Sequence, residues 1–159
     1  MSSGWRHIII VAVLFLIAFS VTALSLNNYA EPWNFWGGAE IESPGDWVSE
    51  EQIKVYEDYI VLELGGATWA KFTDTNSMDP FLDAGANAIE IMPESPEQIQ
   101  VGDIVSYQAE EGVIIHRVSE VGEDEEGIYY VMKGDNNTFT DPVEVRFDDV
   151  VGVLVAVIY

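Results

Sequence analysis

The sequence predicts a mainly β domain, a compact sandwich or barrel, carried behind a single N-terminal transmembrane helix. Three observations lead there. Seven short runs rich in β-branched and aromatic residues follow one another from Tyr59 to Tyr159, separated by Gly, Pro, Asp and Asn. Helical periodicity is almost absent from the same span. Ahead of it lies one apolar stretch without charge or proline, Ile8 to Leu26.

That stretch, IIIVAVLFLIAFSVTALSL, is close to the ~20 residues a helix needs to cross a hydrocarbon core of about 30 Å. It is longer than the apolar part of a cleaved secretory signal. Its nearest small-x-small site, Ala23-Leu24-Ser25, lies inside the apolar run, which favours an uncleaved anchor. Arg6 precedes it and acid-rich sequence follows, so the N-terminus is expected in the cytoplasm and the bulk of the chain outside the cell membrane. The chain thus divides into a cytoplasmic tip and anchor (1–26), a lead-in (27–58) and a β domain (59–159).

Asn27 to Asp46 is rich in Asn, Pro, Gly and aromatics and reads as a stalk. Trp33, Phe35 and Trp36 suit a membrane–water interface or a core equally. Ser49-Glu50-Glu51-Gln52 matches a capping box, which predicts a short helix toward Asp58. Strands are then predicted over Tyr59–Leu64, Trp69–Phe72, Ala88–Met92, Ile104–Tyr107, Val113–Val118, Ile128–Lys133 and Val150–Tyr159. The last, VVGVLVAVIY, is too short to span a membrane and reads as a buried closing strand.

Charge narrows the function. Lys and Arg number 6 against 28 Asp and Glu, a formal net charge of −22. Such a chain repels phosphate backbones, which argues against nucleic acid as a partner. It also disfavours lying flat on an anionic bilayer. The acids are spread along the chain, which fits solubility or adaptation to high salt better than a dedicated acidic binding face. Cysteine is absent, so disulfides, thiolate metal sites and a cysteine nucleophile are all removed.

Few residues remain that could do chemistry. Of the two histidines, His7 sits at the mouth of the anchor, and His116 lies in the apolar run Gly112–Val118. Alone on a strand, a histidine is more often structural than catalytic. The chain also offers Asn76-Ser77-Met78-Asp79-Pro80, where Pro80 is expected to hold the segment after Ser77 in an extended turn. A serine hydroxyl attacks only when a base takes its proton. A third element, Gly134-Asp135-Asn136-Asn137-Thr138-Phe139-Thr140-Asp141-Pro142, carries two aspartates, either of which could orient an imidazole.

In this order, Ser77-Met78-x-Pro80, Gly102-Asp103-Ile104-Val105, Ile115-His116-Arg117-Val118 and Gly134-Asp135-Asn136-Asn137 with Asp141 resemble the type I signal peptidase family. The likeness is to its archaeal and endoplasmic-reticulum branch, which uses histidine where bacterial enzymes use lysine, and it spans roughly Trp69 to Val157. The resemblance implies an all-β serine endopeptidase outside the cytoplasm that removes N-terminal signal peptides from secreted pre-proteins. Cutting follows small residues at the −1 and −3 positions. It implies Ser77 as nucleophile, His116 as general base, and Asp141, with Asp135, as orienting carboxylates. The Ser77 N–H and the Thr75 hydroxyl would serve the oxyanion, and Met78 and Pro80 would shape the substrate groove. No cofactor and no metal are implied. The partners are signal peptides, membrane lipid around the anchor, and secretion machinery that the sequence does not identify.

The chain departs from the family pattern in carrying Thr75-Asn76 where a small pair such as Ser-Gly is usual, and Gly85-Ala86 where Gly-Asp is usual. A lysine base, Lys71 or Lys133, is the alternative to His116, although neither lies in an apolar run that would desolvate it. Asp135, Asn137 and Asp141 lack the spacing and terminal glutamate of a calcium loop. Asn136-Asn137-Thr138 is formally a glycosylation sequon. The competing reading of the whole chain is a catalytically lapsed, membrane-tethered β-domain that acts as a binding or assembly module.

Overall fold

Alternating apolar and polar side chains, broken by Gly and Pro, give strands joined by tight turns. In the computed structural model, residues 41–159 are described and match one compact unit, Ile41–Tyr159. The expected anchor at 8–26, the tip before it and lead-in residues 27–40 lie outside the described residues. Among the described residues no helix is long and apolar enough to cross a membrane.

Among the described residues nine strands follow in order: β1 (Ile53–Val55), β2 (Ile60–Leu62), β3 (Thr68–Lys71), β4 (Asn87–Ile91), β5 (Ile104–Ala109), β6 (Gly112–Asp124), β7 (Gly127–Lys133), β8 (Val145–Arg146) and β9 (Val150–Ile158). All seven predicted runs are strands, and β1 and β8 are additional. The helix predicted toward Asp58 does not form. Gln52 Oε1 does accept from the Ser49 N–H at 3.0 Å, as a capping box requires. The turn it starts, however, is a single 3-10 turn, Glu50–Gln52. The β-branched Ile53 and Val55 then enter a hairpin with β2, whose pairing outweighs the start of a helix.

β1 and β2 form their own two-stranded sheet, and the other strands form one antiparallel sheet of order β3-β4-β9-β5-β6-β7-β8. With β3 and β8 at its two edges, this sheet is open, so the barrel alternative does not describe it. β9 is not a closing strand either. It lies between β4 and β5, and its successive Val153 and Leu154 enter opposite apolar layers, which accounts for an unbroken apolar run there.

Successive side chains of a strand point to opposite faces. On β5, Ile104 joins one apolar layer with Met78, Leu82, Ala88 and Leu154. Its neighbour Val105 joins the other, with Val118, Tyr130, Met132 and Val153. Buried Asp103 ties the lead-in to this sheet. It accepts from the Gly45 N–H at 2.8 Å, the Trp47 indole N–H at 2.9 Å and the Gln100 N–H at 2.8 Å.

One register positions the site. β5 flanks β6 from Gly112 to Arg117, whereas β7 flanks it on the other side only from Arg117 onward. The outer edge of β6 is therefore free of β7 from His116 back. The loop after β7 turns past this opening, with the Asp141 N–H returning to the Met132 carbonyl at 2.7 Å.

Candidate active site

His116 occupies the place where β7 leaves β6. It is buried, at 7% exposure. Its Nδ1 meets Asp141 Oδ2 at 2.6 Å. A carboxylate partner makes Nδ1 the protonated nitrogen, so Nε2 is left as the acceptor that a base needs. The Tyr107 hydroxyl donates to the same Asp141 oxygen at 2.7 Å. Burial first, then the hydrogen bond and charge of Asp141, push the Tyr107 phenol well above its usual pKa, so it remains a donor.

Ser77 lies in the turn between β3 and β4. The preceding Asn76 has φ +57°, a left-handed conformation that asparagine tolerates better than most side chains. This is what stands in the place of the usual small pair. After Ser77 the chain is not extended as expected. The Phe81 and Leu82 N–H groups both return to the Met78 carbonyl at 2.9 Å, a tight turn that buries Met78 in the apolar layer of Ile104.

The Gly134–Asp141 loop clamps this turn. The Asn136 N–H donates to the Ser77 carbonyl at 2.9 Å. Asn136 Nδ2 donates to the Asn76 carbonyl at 3.0 Å, and the Asp135 N–H reaches Met78 Sδ at 3.4 Å. Gly134 permits the approach, since a Cβ there would stand 2.6 Å from the Ser77 carbonyl oxygen. The Asn136 side chain of the formal sequon is thus engaged in holding the serine turn.

Asp135 does not orient the histidine. Arg117 holds it in a two-pronged pair, Nε to Oδ1 at 2.8 Å and an Nη to Oδ2 at 2.7 Å, and donates also to the Gly102 carbonyl at 2.8 Å. Side chains successive on β6 point to opposite faces, so His116 takes Asp141 on one side and Arg117 takes Asp135 on the other.

Ser77 and His116 line one cavity of about 590 Å3, together with Thr75, Met78 and the whole of β3. Thr75 Oγ1 lies 3.2 Å from Ser77 Oγ, so the hydroxyl expected at the oxyanion is bonded to the nucleophile itself. Among the described residues no hydrogen bond joins Ser77 to His116. Pro80 is exposed and does not line the cavity. Lys71 lines it with its Nζ 4.8 Å from the centre of the Trp69 ring, whereas Lys133 does not. Among the described residues no three His, Asp or Glu side chains gather as metal ligands.

Four residues of this region escaped the sequence reading. Tyr107 and Arg117 looked like ordinary strand residues. Glu90 and Ser106 are buried in the cavity wall, with Ser106 Oγ donating to Glu90 Oε1 at 2.5 Å. The available signal was Glu90 itself, a lone acid on the inward-facing side of an apolar strand, next but one to Ala88. No family model matches the chain, and no curated protein matches it.

Two outcomes are expected here. Tyr107→Phe removes the hydroxyl that donates to Asp141 and should lower kcat about 5-fold with KM nearly unchanged. A merely structural tyrosine would lower the melting temperature and leave kcat in place.

Burial raises the Glu90 pKa above 4.5, opposed only in part by the Ser106 hydrogen bond. The fold therefore favours the neutral carboxyl, and that contribution is present below pH 4.5 and lost as pH rises through the higher folded value. Glu90→Gln is neutral throughout, so its melting temperature should gain on wild type as pH rises. A gap independent of pH would contradict this.

Proposed function

We propose that this chain is a serine endopeptidase of the signal peptidase I type that cuts pre-proteins after small residues at the outer face of a membrane. The observation that carries the reading is a single cavity lined by Ser77 and His116, in which Asp141 holds the histidine with Nε2 free to accept a proton. Among the described residues β3 is an edge strand of its sheet, and it runs along that cavity, where an extended peptide can add as a further strand. The uncharged stretch 8–26 supports the membrane tether.

In the reaction, Ser77 Oγ attacks the scissile carbonyl carbon as its proton passes to His116 Nε2. The C–N bond then breaks, and the proton leaves on the departing amine. Water, deprotonated by the same nitrogen, cleaves the acyl-enzyme and restores the hydroxyl. Asp141 stabilises the imidazolium formed in each half.

A second reading, a lapsed enzyme that only binds, is favoured by one observation: Ser77 Oγ is engaged by Thr75 rather than by His116. A serine-directed acylating inhibitor separates the two. Full-chain protein in detergent that gains the inhibitor's mass on Ser77, and cuts a pre-protein at its signal junction, fits the peptidase. Protein that does neither fits the binding module.

A further inference from the structure

Glu90 and Ser106 share the cavity of Ser77 and His116 yet have no part in the reaction above. Both face the apolar layer of Ile104, since Glu90 lies opposite Leu154 and Ser106 opposite Ile115. Glu90 is 2% exposed and Ser106 3%. Among the described residues the Ser106 hydroxyl is the one hydrogen-bond partner of the carboxyl, and no Lys, Arg or His pairs with it.

Such burial is costly, because a carboxyl taken out of water without a cation loses several kcal/mol of solvation. A valine or isoleucine would suit this inward strand position without that loss. The fold nevertheless makes room for the acid. Beside Glu90 the pairing of β4 with β9 is irregular: Ile89 lies opposite Ala156 and Glu90 opposite Leu154, so the extra residue, Val155, is on β9. Gly152, opposite Ser106 on β9, leaves the space the acid fills, since a Cβ there would come within 3.0 Å of Glu90 Cβ and 3.4 Å of Oε2. Ala70, Phe72, Leu82 and Ile115 give the cavity apolar walls. Against such walls, a few polar groups set the orientation and selectivity of what binds.

We propose that Glu90 and Ser106 form a side-chain specificity subsite that takes a substrate residue with a small hydrogen-bond donor, serine in preference to alanine. This rests on the peptidase reading and adds a substrate class to it. Ser106 donates to Oε1 and leaves Oε2 for the ligand. Oε2 accepts from an entering hydroxyl when the group is ionised and donates to it when the group is neutral, so a hydroxyl pairs with it in either form. An alanine methyl leaves that oxygen desolvated and unpaired, the situation in which polar sites discriminate most strongly.

The test uses peptides that span a signal-type junction, with Ala or Ser in turn at each of the five residues before the scissile bond. Each is titrated against full-chain Ser77→Ala protein in detergent and is also offered to wild type for cleavage. At one position serine should bind about 10-fold more tightly than alanine. Glu90→Met in the same background should abolish or reverse that preference. Glu90→Gln, whose amide oxygen still accepts from Ser106 and whose amide N–H can donate to a serine hydroxyl, should keep it. Equal binding of Ala and Ser peptides at every position overturns the subsite, as does a preference that survives Glu90→Met. Cleavage without serine preference removes the subsite and leaves the peptidase. A Glu90-dependent preference in binding, with no cleavage by wild type, leaves the subsite and removes the peptidase.

Discussion

Full-chain protein carrying Ser77→Ala is expected to cut a signal-type peptide about 10,000-fold more slowly than wild type, and His116→Ala to match it. The two side chains act as one device: the hydroxyl is a poor nucleophile until the imidazole removes its proton, and the imidazole does nothing useful without a hydroxyl to serve. The double variant should therefore be no worse than either single one. The measurement is kcat/KM on a fluorogenic peptide in detergent. Lys71 provides the control, because it lines the same cavity. If His116→Ala keeps most of the activity and Lys71→Ala loses it, the base is the lysine and the proposed mechanism is wrong.

The second large effect separates the two aspartates of the loop. Asp141→Asn should lower kcat by about 1,000- to 10,000-fold while leaving peptide binding nearly intact. An asparagine can donate to Nδ1 and so favour the tautomer that carries its proton on Nε2, which cannot take one from Ser77. Asp135→Asn should behave otherwise. It breaks a nearly buried pair in which Arg117 and Asp135 side chains are 12% and 9% exposed. Removing one partner of such a pair costs roughly 3–5 kcal/mol, since the arginine keeps its charge without compensation. A fall in melting temperature is expected, with the acid limb of the pH–rate profile unmoved. A catalytic loss with unchanged stability in Asp135→Asn would reverse these roles.

The candidate site was half legible in the sequence. Ser77, His116 and the aspartate loop stood out through the order of their motifs, which resembles the signal peptidase family; each alone was a weak signal. The choice between Asp135 and Asp141 was not legible, because it depends on which face of β6 each loop segment reaches. Tyr107 was hidden for a similar reason: its hydroxyl meets Asp141 only through the path of a loop 34 positions further on. Glu90 gave a faint signal, an acid where strand alternation asks for an apolar residue.

Local physics determined the strands themselves. β-branched and aromatic runs punctuated by Gly, Pro, Asp and Asn have few other ways to fold, so all seven predicted runs appear. Only the tertiary structure decided how those strands were ordered, since pairing depends on long-range packing that short-range preference does not carry. That ordering put β9 inside the sheet between β4 and β5, left the sheet open and ended β7 opposite Arg117. Outside that sheet, a hairpin turned Ser49–Asp58 from a predicted helix into one turn and a strand, where pairing with β2 outweighed a helix nucleus that would have stood alone.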